Sequence, residues 1–101
     1  MRLVVAMIKP AQIESVRQAL GGVEVTRMTV CDTHGYDLAA PDSVAQEAML
    51  EIAVNDDFVD RTVAAITGVL TTGADTTSRV HVLPMADAAQ IYRAVRGPEA
   101  V

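Results

Sequence analysis

The sequence predicts an α+β domain in which two helices cover one face of a four-stranded antiparallel sheet. Three observations predict it. Leu3 to Ile8 is an unbroken apolar run, closed by Lys9-Pro10. Ile13, Val16 and Leu20 recur at helical spacing, as do Val59, Val63, Ile66 and Leu70. Leu50, Ile52 and Val54 alternate with Glu51 and Ala53, the period of a strand.

Each element follows in order. In the first strand, Leu3, Val5 and Met7 point one way and Val4, Ala6 and Ile8 the other. Pro10 suits the first turn of a helix, and Gly21-Gly22 ends that helix. A second strand is expected from about Val23 to Cys31, on the alternation of Val23, Val25, Met28 and Val30. Gly35 to Asp42 has turn composition, and Val44 to Ala48 is ambiguous. The third strand holds Leu50 to Val54. Asn55-Asp56-Asp57 then offers N-cap side chains and acidic charge to the second helix. Thr71 to Ser78 is a polar loop, Arg79 to Leu83 a fourth strand ended by Pro84, and Ala86 to Val95 a short helix or turn. The order strand, helix, strand, strand, helix, strand is the split βαβ or ferredoxin-like sandwich.

One layer of helices covers only one of these two faces and leaves the other bare. Full exposure of three such side chains would cost on the order of 4–9 kcal/mol, at roughly 1.5–3 kcal/mol each. That rivals the whole stability of a small domain, so the pattern implies an oligomer.

At 101 residues the chain makes one domain, 1–101. Half of it is hydrophobic but only 3% is aromatic, so Val, Ile, Leu, Ala and Met build the core. The net charge is -5 and the Lys and Arg residues stand singly, which argues against nucleic acid. The lone Cys31 excludes an internal disulfide and suits a reducing compartment. The N-terminal apolar run is too short for a signal peptide, and no stretch is long enough for a membrane span. A cytoplasmic protein is expected. Cys31, His34 and His81 do not form a converging metal set, because alternation sends Cys31 and His34 to opposite faces. Asp56, Asp57 and Asp60 suit an exposed first turn, and no nucleophile–base pairing follows from spacing, so no enzyme is expected.

The opening Met-Arg-Leu-Val-Val-Ala-Met-Ile-Lys-Pro resembles the start of the PII nitrogen-regulatory signalling proteins. So do Val16-Arg17-Gln18-Ala19-Leu20 in the first helix and Met28-Thr29-Val30 followed by Gly35. Leu50 to Asp57, Thr72-Gly73 and Arg79-Val80-His81-Val82 continue the likeness in register along nearly the whole chain. The resemblance implies a homotrimer with small-ligand clefts between subunits. It also implies a T-loop presented to a partner enzyme or membrane transporter, and ligand control of which loop conformation is populated.

Departures from the family pattern bear on the ligand. The T-loop is shortened to Ala39–Ala48, and its usual modified tyrosine has no counterpart. Tyr36-Asp37-Leu38 replaces the Gly-Arg-Gln that supports magnesium and 2-oxoglutarate. In the B-loop, 71–78, and just beyond it, Thr76-Thr77-Ser78-Arg79 replaces Gly-Asp-Gly-Lys, so stiff side chains crowd the backbone N–H groups that would meet phosphate. Glu47 stands for a lysine, and Gln90 and Tyr92 in the C-terminal segment, 86–101, stand for arginines. Losing three charge-assisted hydrogen bonds removes roughly 4–9 kcal/mol, about what a micromolar site is worth. Weak ATP binding or none is expected, with ADP or the less charged AMP as alternative adenine ligands.

The implied ligand-binding residues are Thr29, Gly35, Thr72, Gly73, Thr77 and Arg79. Thr29 would hydrogen-bond an adenine, or serve only as a ladder threonine. Gly35 would allow close ligand approach, or supply a turn with positive φ. Thr72, Gly73, Thr76, Thr77 and Ser78 would cradle an anion, or form a solvated loop. Arg79 would face a phosphate, or make a surface ion pair. Two other functions stay open: an interaction protein of this fold without nucleotide binding, and another ferredoxin-like module for a small ligand such as an amino acid.

Overall fold

The computed structural model describes residues 1–40, 42–71 and 77–101. Strand β1 (Arg2–Ile8) leads through a 3-10 turn, Pro10–Gln12, into helix α1 (Ile13–Gly22). Strands β2 (Thr29–Tyr36) and β3 (Val44–Val54) form a long hairpin. A second 3-10 turn, Asp56–Phe58, opens helix α2 (Val59–Leu70), and β4 (Arg79–Pro84) follows. The sheet order is β2-β3-β1-β4, antiparallel throughout, which is the ferredoxin-like α+β arrangement.

Alternation along β1 divides the molecule. Val4, Ala6 and Ile8 are buried and join Ala48, Leu50, Ile52 and Val54 of β3. Val16 and Leu20 of α1 and Ile66 and Leu70 of α2 close this core from above. Thr62 is buried with them because its hydroxyl donates to the Phe58 carbonyl at 2.6 Å, which satisfies its polar atom inside the helix.

Leu3, Val5 and Met7 lie on the other face, with no helix of the described residues over them. Across that face Leu3 stands between Ala53 and Leu83, Val5 between Glu51 and His81, and Met7 between Met49 and Arg79. Neighbouring side chains shield the three to a half-buried state, so their exposure costs less than the sequence estimate.

Four expectations need correction. Val23 to Met28 is not strand: Glu24 has φ 67°, and the Val25 N–H bonds back to the Leu20 carbonyl, so the chain turns after α1 and β2 starts only at Thr29. Gly35 is strand rather than turn and the ambiguous Val44 to Ala48 is strand too, so the segment between the hairpin strands is 37–43 rather than 39–48. Ala86 to Val95 is neither helix nor simple turn. It makes a tiny hairpin of β5 (Ala89–Gln90) and β6 (Val95–Arg96), followed by a 3-10 turn, Gly97–Ala100. Finally, Asn55 occupies the cap position without a capping hydrogen bond: its Nδ2 donates to the Pro98 carbonyl at 3.0 Å, and its buried Oδ1 accepts from no backbone N–H.

Candidate functional site

The strand register sorts the expected ligand residues into two places. Thr29 opens β2 opposite Glu51, whereas Gly35 sits near its far end opposite Ala45. Six residues of strand separate them by roughly 20 Å. Both point to the bare face, since Thr29 shares a row with Val5 and Gly35 lies an even number of residues on.

Thr29 belongs to a cleft of about 520 Å³. One wall is the bare face of the central strands, with Glu51, Ala53 and Leu3, and another is the bend 24–28 after α1. The third is the C-terminal segment, contributing Gln90, Arg93 and Glu99. Two contacts hold that segment together internally, and a third, from Asn55, ties it to the body of the domain. The Gly97 N–H donates to the Ala88 carbonyl at 2.8 Å, Asn55 holds Pro98, and Arg96 pairs with Asp87. The Arg96 guanidinium, helped by the Ala88 N–H, holds the Asp87 carboxyl below the usual carboxylate range. The cleft therefore offers a threonine hydroxyl, guanidinium groups and carboxylates around a mixed apolar floor, the donor set of a small polar ligand site.

Gly35 and Arg79 belong to a second place, joined by Glu47, a partner that spacing along the chain does not indicate. Glu47 reaches from β3 across the bare face. Its Oε2 lies 3.6 Å from an Arg79 guanidinium nitrogen, while its Oε1 lies over Gly35. A Cβ built on Gly35 would stand 2.3 Å from that Oε1. Gly35 therefore makes room for a carboxylate; its φ is not positive, and the turn reading is corrected. Arg79 also donates from Nη1 to the Thr77 carbonyl at 3.0 Å, which ties the end of the loop to β4. Thr72 and Gly73, together with Thr76, lie outside the described residues.

The metal-type residues disperse. By register, Cys31 shares the bare face with Met49, while His34, opposite Gln46, faces the other way. Among the described residues no group of three His, Cys, Asp or Glu side chains could hold a metal ion. Among them also, no helix is long and apolar enough to cross a membrane. Asp56 takes the N-terminal ammonium at 2.9 Å, which lowers its carboxyl pKa and ties it to the start of β1.

Comparison with known proteins agrees with this geometry. The family model described as nitrogen regulatory protein P-II matches residues 1–95. Nitrogen regulatory protein GlnK1 of Methanosarcina mazei is 32% identical over 114 aligned positions, covering 100% of this chain and 97% of that protein. Because the chain has only 101 residues, that alignment leaves gaps on its side. Nitrogen regulatory protein P-II of Rhizobium etli is 29% identical, with 100% of both chains covered. The crystal structure of Arabidopsis thaliana PII bound to citrate superposes with a TM-score of 0.89 at 27% identity, covering 99% of this chain and 91% of that one.

These features define a small regulatory domain of the kind that responds to a ligand. The chain belongs to the P-II nitrogen regulatory protein family, so it is a signal-transduction protein and not an enzyme.

Proposed function

We propose that this chain acts as a homotrimeric sensor whose ligand, a weakly held adenine nucleotide, binds along the seams between subunits. The observation that carries the reading is the bare sheet face. Val5, Met7, Met49 and Cys31 form an apolar surface that no described element covers, bordered at Leu3 by the C-terminal segment, and Thr29, Gly35 and Arg79 lie on the same face or its margin. A second copy on that face would bring the Thr29 end of one subunit toward the Arg79 end of another, which one chain alone keeps apart by the full width of the sheet, roughly 15 Å.

Thr29 supplies a hydroxyl to the base, and Thr77, Arg79 and the B-loop residues Thr72 and Gly73 serve the phosphate end. Ligand binding changes the population of conformations of the hairpin tip, 37–43, and a partner protein in nitrogen or carbon metabolism reads it. Cys31 stays a thiol in a reducing cytoplasm under this reading. The plant relative's citrate makes an organic polyanion the natural competitor to include.

Calorimetry with ATP, ADP, AMP, cyclic AMP and citrate against wild type and Thr29→Ala tests it. Nucleotide heat that Thr29→Ala weakens is expected, with AMP bound at least as well as ATP. Absence of heat with every nucleotide would leave an interaction protein without a nucleotide ligand.

A further inference from the structure

Among the described residues Glu47 is the one charged side chain that is buried. Its Oε2 is shielded from solvent and has no hydrogen-bond partner; its compensation is the ion pair to Arg79 at 3.6 Å. A carboxylate removed from water is costly unless something opposes its charge. Here the sequence accommodates it twice, with an arginine on β4 and with a side-chain-free residue, Gly35, under its other oxygen. The Thr33 hydroxyl fixes the strand at this point by donating to the Glu47 carbonyl at 3.3 Å.

We propose that Glu47 is a built-in anion that occupies Arg79 and determines ligand charge at this end of the seam. A polyphosphate arriving at the half-exposed Arg79 must displace the Glu47 carboxylate or sit beside it, and like charges at about 4 Å repel, the more so because Glu47 is shielded from water. The site accordingly selects ligands with a single phosphate or none over di- and triphosphates. This rests on the reading that Arg79 belongs to the ligand site, and names the ligand class that site admits.

Two variants separate the charge from its position. Glu47→Gln removes the charge and keeps the shape. Gly35→Ala keeps the charge but drives a methyl into the carboxylate, which must move away. Calorimetry with ATP and AMP, after thermal melts confirm folding, gives the readout. Glu47→Gln is expected to tighten ATP about 10- to 100-fold, the gain from freeing one charge-assisted contact, with a much smaller change for AMP. Gly35→Ala shifts ATP in the same direction by less, and Arg79→Ala added to Glu47→Gln cancels the gain.

Unchanged ATP affinity in Glu47→Gln, or a gain that survives loss of Arg79, overturns the proposal. If wild type binds nucleotide and Glu47→Gln binds it no differently, the sensor reading stands and the role of Glu47 falls. If wild type binds none but Glu47→Gln binds ATP through Arg79, the role of Glu47 stands and the sensor reading falls. If neither binds, both fall.

Discussion

Val4 and Val5 are adjacent on β1 and face opposite ways, so truncating each in turn separates the core from the seam. Val4 has no exposed surface and packs under the helices. Val4→Ala removes two buried methyl groups and leaves a small cavity, costing about 2–3 kcal/mol. Val5 is half-buried on the bare face between Glu51 and His81, and its remaining surface is covered only if another chain arrives. Urea unfolding at about 1 and 100 µM protein reads the difference, because assembly makes stability depend on concentration. For a trimer each tenfold in concentration contributes up to two-thirds of 1.4 kcal/mol per chain, so the hundredfold range moves apparent stability by up to about 1.8 kcal/mol. With a slope near 1 kcal/mol per molar urea, the two midpoints differ by up to about 2 M. Val4→Ala lowers both midpoints and keeps their separation; Val5→Ala narrows the separation. Identical wild-type midpoints, or two variants that behave alike, would refute the assignment of the two faces.

Three further outcomes are expected. Thr62→Val keeps the shape of a fully buried side chain but deletes its 2.6 Å bond to Phe58, so stability falls by about 1 kcal/mol in chemical denaturation. Glu24→Gly relieves a left-handed residue after α1 and raises the melting temperature, by up to about 1 kcal/mol in stability after glycine's entropic cost. Asp87 has a lowered folded pKa, so its contribution to holding the C-terminal hairpin is complete above the unfolded value and is lost as pH falls through the folded one. Amide exchange in residues 86–101 accelerates in that acidic window, and Asp87→Asn removes the pH dependence.

Those residues also show where sequence reasoning reaches and where it stops. The β1 run, both helical stripes and the Leu50–Val54 alternation were legible because each buries one face against the same core, and periodicity records burial. Val23 and Val25 alternate too, yet the chain there turns back on α1 through a left-handed Glu24, a conformation that hydrophobic pattern does not encode. The strands of the C-terminal hairpin are two residues each, too short to show any period. Nor does the sequence pair Glu47 with Arg79. They meet because Met7 stands opposite both Met49 and Arg79, so β1 carries the register from β3 to β4, and because Gly35 leaves the carboxylate room. Arg79 stands out in the sequence alone; its pairing with Glu47 exists only in the assembled sheet.

The most direct test of the seam is mass. Light scattering on the intact protein, in dilute buffer and without nucleotide, should return three times the 10.7 kDa of one chain. A well-folded species of 10.7 kDa across the accessible concentration range would mean that the bare face needs no neighbour, and that no cleft between subunits exists to hold a ligand.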